Sequence, residues 1–323
     1  MKTRTILISS ISLAALMAVT PATFAKKRGG GGGGGDAEGH HRKGVEFVDA
    51  KQFDKAVEEF TKEVEAAPDN PESYKDRGMA YRAAGRAAIA ANDGPSAAAR
   101  FNSAVADFSK MIELEPKNPL GYLERAQTEL AQILFDAAVA DANKALELKA
   151  EEGLAYKFRG FAYIGLRQWD KAAADFTASI QKNPNDQQSY DQRALAYRSL
   201  NNFPAAIQDY TAAIEKNPNY QPEYARRGYT YALAEDYEKA IADYQQALKM
   251  DANDQETQER MKYAQGRLAA KNAPPPTPTP TPAGSFFTPT KIFFGLIILV
   301  LIAALVRFFT RGKSEPTSST RIR

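Results

Sequence analysis

Residues 153–186 read GLAYKFRGFAYIGLRQWDKAAADFTASIQKNPND, and this stretch decides the fold. Tyr156 is followed four places on by the small residue Gly160. Ala172 and Phe176 form a second apolar pair, and Pro184 closes the unit, because proline cannot continue a helix. The same order returns every 34 residues at Tyr122, Tyr156, Tyr190 and Tyr224; Tyr74 lies 48 before Tyr122, which is 34 plus 14. Gly44, Gly78, Ala126, Gly160, Ala194 and Gly228 keep step, as do Ala56, Ala104, Ala138, Ala172, Ala206 and Ala240. A second ring recurs at Phe53, Phe101, Phe135, Trp169, Phe203 and Tyr237. A period of this length marks a solenoid of helical hairpins, in which each unit buries its apolar face against its neighbours.

These residues resemble the tetratricopeptide repeat family, in six copies from about Ala37 to Asp254. The resemblance implies an all-α, right-handed superhelical solenoid of six hairpins: 37–70, 71–118, 119–152, 153–186, 187–220 and 221–254. A capping helix over 255–271 and a single transmembrane helix complete the expected fold. The resemblance also implies a concave face, lined by the first helix of each hairpin, that holds a protein or peptide partner. The expected groove residues are Leu120, Leu123, Leu130, Leu154, Lys157, Phe161, Ile164, Arg198 and Tyr229, with Gln127, Asp191 and Leu195 beside them. Leu123, Leu130, Leu154, Phe161 and Ile164 either open onto the groove or pack on neighbouring helices; the sequence leaves both readings. The terminal-carboxylate clamp of chaperone adaptors pairs Lys with Asn one turn on. Here Lys75 and Lys157 are followed by Met79 and Phe161, so that clamp is absent.

Composition narrows the function. The net charge of +3 hides an asymmetry. Setting aside Lys2 and Arg4, and the six basic residues and Glu315 from Lys291 onward, leaves 34 basic and 38 acidic residues. The middle of the chain is therefore no match for nucleic acid, which needs a basic stripe. Zero cysteine excludes disulfides and thiolate metal sites. The only histidines, His40 and His41, are adjacent, and no phosphate loop, nucleophile elbow or zinc spacing occurs. No enzyme, cofactor or metal is expected.

The ends imply membrane attachment. Lys2 and Arg4, the apolar stretch Ile6–Val19 and small residues before Ala25 read as a signal peptide over 1–25. Lys26, Lys27 and Arg28 then resist export, which keeps a tail-anchored, cytoplasm-facing alternative open. Residues 26–36 hold seven consecutive glycines, Gly29–Gly35, and read as a flexible leader. Residues 272–290 alternate Pro and Thr and read as an extended stalk. Ile292–Val306 carries no polar side chain and anchors an expected span over 291–309. A basic tail over 310–323 places the C-terminus in the cytoplasm and the repeats outside the inner membrane. With no cysteine and no Asn-x-Ser/Thr sequon between the hydrophobic ends, the pattern suits a bacterial periplasm.

Four further expectations concern packing. The 14 extra residues between Tyr81 and Phe101 lengthen both arms of the second hairpin by about two turns, with Asn92-Asp93-Gly94-Pro95-Ser96 as its turn. Gly160 and Ala172 mark the closest helix approach. Glu129 and Ala142, where other repeats have rings, make the third repeat the loosest. Arg77, Arg125, Arg159, Arg193 and Arg227 form a structural ladder with Asp107, Asp141, Asp175, Asp209 and Asp243, each Arg reaching the Asp of the preceding repeat. In the cap, Met261, Tyr263 and Leu268 point to the core.

Overall fold

A computed structural model describes residues 35–149, 152–273 and 289–310. The signal-peptide, leader, stalk and tail readings fall wholly or almost wholly outside these residues. Among the described residues there are fourteen α-helices and no strand. Six hairpins pair α1 (Gly35–Asp49) with α2 (Phe53–Ala66), α3 (Pro71–Ala90) with α4 (Gly94–Leu114), and α5 (Pro119–Ala131) with α6 (Phe135–Glu147). The series continues with α7 (Glu152–Gly165) and α8 (Trp169–Lys182), α9 (Gln187–Ser199) and α10 (Phe203–Lys216), and α11 (Gln221–Leu233) and α12 (Tyr237–Met250). The cap is α13 (Gln255–Asn272), and a separate unit contains α14 (Pro289–Thr310).

Local chemistry sets the helix ends. Asn70, Asn118 and Asp93 accept backbone N–H bonds at the starts of α3, α5 and α4, where proline follows within the first turn. Each hairpin turn places one residue in the left-handed region: Lys51, Asn92, Ile133, Arg167, Asn201 and Glu235. At these turns the next N–H reaches back to the helix, as in Leu134 N–H to the Glu129 carbonyl at 2.9 Å. Ile133, with φ of 64°, is the costly member, since a β-branched side chain resists that conformation.

The expected insertion forms helix on both arms. The two helices of the second hairpin have 20 and 21 residues, against 13 to 14 in the hairpins that follow. Asn92, with φ of 58°, makes the turn at the midpoint.

In four of the hairpins a glycine in the first helix, Gly44, Gly78, Gly160 or Gly228, sits under a ring of the second. A Cβ on Gly160 would meet the Phe176 ring at 3.0 Å, and one on Gly44 would meet Phe60 at 2.5 Å. The nearest atoms to Gly160 thus belong to the Phe176 ring, and at the equivalent Gly228 the Ala240 carbonyl lies 3.1 Å from an added Cβ. The third repeat has the most sparsely packed pair of helices among the six hairpins, as expected, yet it shares a core with the fourth. Leu123, Leu130, Ala138 and Ala145 join Phe158, Phe161 and Phe176 in one apolar cluster. In the cap, Ala264 is the buried residue, with Met261 and Leu268 packed against its cluster, while Tyr263 is 59 % exposed.

No helix among the described residues is long and apolar enough to cross a membrane. The expected span does form a helix, α14, and its described side chains run from Phe293 to Arg307.

Candidate functional site: the first-helix face

The first helices of successive hairpins touch one another, α3 with α5, α5 with α7 and α7 with α9, so they form one continuous face. Of the groove residues expected from the sequence, Leu123, Leu130, Lys157 and Phe161 are buried, Phe161 at 1 % exposure. Phe161 meets Phe176 edge to face, with centroids 5.4 Å apart. Lys157 donates to Asp186 at 2.9 Å. The apolar middle therefore packs inward, because neighbouring first helices cover one another's side chains. Leu120, Leu154, Ile164, Leu195, Arg198 and Tyr229 keep partial exposure; Gln127 and Asp191 are buried.

The C-terminal end of this face is different. Arg198 lies 5.9 Å from the Tyr210 ring centre and 5.2 Å from that of Tyr229. Arg260, from the cap, covers Tyr229 at 4.4 Å and pairs with Glu256. The hydroxyls of Tyr210 and Tyr244 are fully buried and have no hydrogen-bond partner. Burial pushes the Tyr244 hydroxyl up to about 12 and that of Tyr210 higher, so both keep their protons at neutral pH. Below them, Arg226 bridges Asp191 at 2.7 Å and Glu223 at 3.2 Å. Burial, with Asp191 adding to it, pushes Glu223 well above the carboxylate range. A cavity of about 420 Å³ opens beside this cluster, lined by Tyr229, Tyr237, Tyr244, Tyr263, Arg260 and Arg267 among others. The sequence reading named Arg198 and Tyr229 here. It missed Arg260, Tyr210 and Tyr244; the signal was the change from Phe60, Phe108 and Phe176 to Tyr at one repeat position.

The N-terminal end holds a second polar cluster. His41 Nδ1 lies 3.0 Å from Asp76 and 3.3 Å from Glu63, and Ser73 donates to Glu63 at 3.1 Å. These acids hold His41 protonated, its pKa raised to about 10. The three ligating atoms lie within 4.8 Å of one another, where the sequence reading placed no metal ligands. Adjacency in sequence separated the histidines as expected, yet it also gave them different partners: His40 meets Glu59 at 2.7 Å.

The arginine ladder is paired throughout, but within each repeat. Arg125, Arg159, Arg193 and Arg227 each grip, through two nitrogens, the Asp 16 residues later. Arg77 grips Asp107 across the insertion. The second helix folds back beside the first, so residues at that separation face each other. The preceding repeat supplies a neutral partner instead: Ser109, Asn143, Thr177 and Thr211 accept the remaining guanidinium nitrogen at 2.7 to 3.0 Å. Arg125, Arg159, Arg193 and Arg227 thus tie their own hairpins shut and staple each to the one before.

Comparison with known proteins agrees with this architecture. Tetratricopeptide-repeat models match residues 41–93, 159–221 and 222–254, so the chain contains such repeats. No curated protein matches the chain in sequence. PilF of Pseudomonas aeruginosa is similar in structure at 13 % identity, over 71 % of this chain and 97 % of that one, with a TM-score of 0.57. The Cut9–Hcn1 hetero-tetramer of the APC/C is similar at 14 % identity, over 71 % of this chain and 43 % of that one, also at 0.57. YrrB, a tetratricopeptide-repeat protein with an unusual peptide-binding site, is similar at 20 % identity, over 63 % of this chain and 97 % of that one, at 0.49. The likenesses to PilF and Cut9–Hcn1 show the fold.

Proposed function

We propose that this chain is a non-enzymatic scaffold, anchored by α14, whose repeats hold a protein or peptide partner outside the cytoplasmic membrane. One observation carries the binding reading. The ladder arginines are all neutralised by aspartates, whereas Arg198 on the first-helix face has no carboxylate partner among the described residues. The anchor is supported by the run Ile292–Val306, flanked by Lys291 and Arg307, and by the exposure of Leu296, Leu299 and Leu301 along α14. The partner's class would suit an envelope assembly, including a complex for glycan assembly or secretion to which this chain is an accessory subunit.

Absence of cysteine makes the topology directly testable. Single substitutions Glu58→Cys in the repeats and Ser318→Cys in the tail are treated with a membrane-impermeant maleimide on intact spheroplasts. The reading expects label at position 58, and label at 318 only after permeabilisation. The reverse pattern would establish the tail-anchored adaptor facing the cytoplasm, which Lys26, Lys27 and Arg28 favour.

A further inference from the structure

The N-terminal hairpin holds a polar cluster that partner binding on the first-helix face leaves unused. Glu63 on α2 is fully buried at a position where the later repeats carry Met111, Ala145, Ser179, Ala213 and Ala247. Packing there needs only a small or apolar side chain, as those residues demonstrate. A hydroxyl also suffices to tie one repeat to the next at this position: Ser179 meets Ser189 at 3.1 Å, where Ser73 donates to Glu63 at 3.1 Å. A carboxylate taken out of water is costly unless a cation engages it. Here two are taken out together. Asp76 on α3 is 1 % exposed, and His41 on α1 brings its Nδ1 to 3.0 Å from Asp76 and 3.3 Å from Glu63.

We propose that His41, Glu63 and Asp76 form a site for a divalent transition metal of the zinc class, which staples the terminal helix α1 to α2 and α3. Zinc holds nitrogen and oxygen donors at about 2.0–2.2 Å, so donors around a tetrahedral ion lie about 3.4 Å apart. Both His41 distances come within a few tenths of an ångström of that spacing, and all three donor atoms lie within 4.8 Å of one another. Two carboxylates balance the charge of one divalent cation. The imidazole donor selects zinc and its neighbours over calcium and magnesium, which take oxygen ligands. Ser73 donates to the other oxygen of Glu63 and so orients that ligand from behind. Lys75, next to Asp76 in the chain, is paired with Glu72. The metal takes the lone pair of His41 Nδ1, and the proton held there passes to solvent. Because α1 ends the solenoid and has repeats on one side only, its opening from α2 and α3 admits the ion. A site that closes around its ion is what a structural zinc requires.

The test uses the untagged full chain in detergent micelles, stripped of metal with a chelator. Zinc, calcium and magnesium are titrated separately by calorimetry, followed by thermal melts and hydrogen exchange. The proposal expects one zinc per chain, a higher thermal midpoint with zinc present, and slower exchange along α1. Calcium and magnesium should produce none of these. Glu63→Ala introduces the side chain already present at Ala145, Ala213 and Ala247, so the fold is kept, as circular dichroism would verify. It should weaken zinc binding by more than about tenfold, a loss that even groups behind the ligands can cause. His40→Ala leaves all three ligands in place and should bind zinc as the unmodified chain does. Absence of saturable zinc binding, equal affinity for calcium, unchanged affinity in Glu63→Ala, or loss of binding in His40→Ala would overturn the site. Any of these would leave the cluster as a proton-bridged ion triad.

Discussion

Two sets of arginines in one solenoid behave in opposite ways. Arg77, Arg125, Arg159, Arg193 and Arg227 recur with the repeat, and each is clamped by an aspartate. Arg198 takes the repeat position of Arg82, and Arg260 that of Arg226; Arg82 pairs with Glu124 and Arg226 with Asp191, whereas Arg198 has no acidic partner among the described residues. The contrast separates what builds the solenoid from what it displays. A charge clamped in unit after unit is part of the packing, and a charge left without an acidic partner on a partly exposed face is available to something else.

The largest expected effect lies in the periodic set. Gly160→Leu drives a branched side chain into Phe176, already 3.0 Å from an added Cβ, and should cost about 3 kcal/mol or more in urea denaturation. Little change would show that the hairpin tolerates separation there. Next comes the comparison itself. Asp175→Ala strands the half-buried Arg159 and should cost about 2–3 kcal/mol, near the lower range for broken buried pairs. Arg198→Gln should stay within about 0.5 kcal/mol, as for a surface change. Equal losses at the two positions would erase the distinction drawn here.

A departure inside the periodic set gives a pH signature. Glu129 replaces a ring, and burial, reinforced by Asp141, raises its pKa to about 7 despite Arg125. An acid whose folded value exceeds its unfolded one stabilises fully below the unfolded value. That contribution is lost as pH rises through about 7. Glu129→Gln should therefore flatten the fall in stability between about pH 4.5 and 7, and be more stable than wild type at pH 8 by on the order of 1–2 kcal/mol. A parallel pH profile for the two proteins would contradict this. A gain in stability is expected at the C-terminal end of the solenoid. Tyr244→Phe removes an unpaired buried hydroxyl and should raise stability by about 1 kcal/mol, read from thermal melts.

The hairpins were legible because a period of 34 residues states which positions share a helix and which are small. The lengthened arms followed from the same count, since fourteen residues divide evenly between two helices. What the period did not state is how neighbouring units meet. Arg159 was expected to reach back one repeat for its carboxylate, yet the antiparallel hairpin sets Asp175 opposite it and leaves Asn143 to the preceding unit. Phe161 lies at a groove position by spacing but is covered by the adjoining first helices, a burial that depends on their closeness. Tyr263 and Ala264 exchange roles in the cap through a rotation of one residue. His41, Glu63 and Asp76 come from three helices, and no local pattern links them. Arg260 and Tyr244 likewise meet across the cap, beyond the reach of a repeat alignment.

The most direct test of the account places a photo-crosslinking residue at Leu195, beside Arg198 on the first-helix face, or at the exposed Glu215 on a second helix. Both full-length variants are irradiated in native membranes, with and without Arg198→Gln. The account predicts a discrete protein adduct from position 195, lost when Arg198 is replaced, and none from position 215. Adducts from position 215 alone, or adducts from 195 that persist without Arg198, would contradict it.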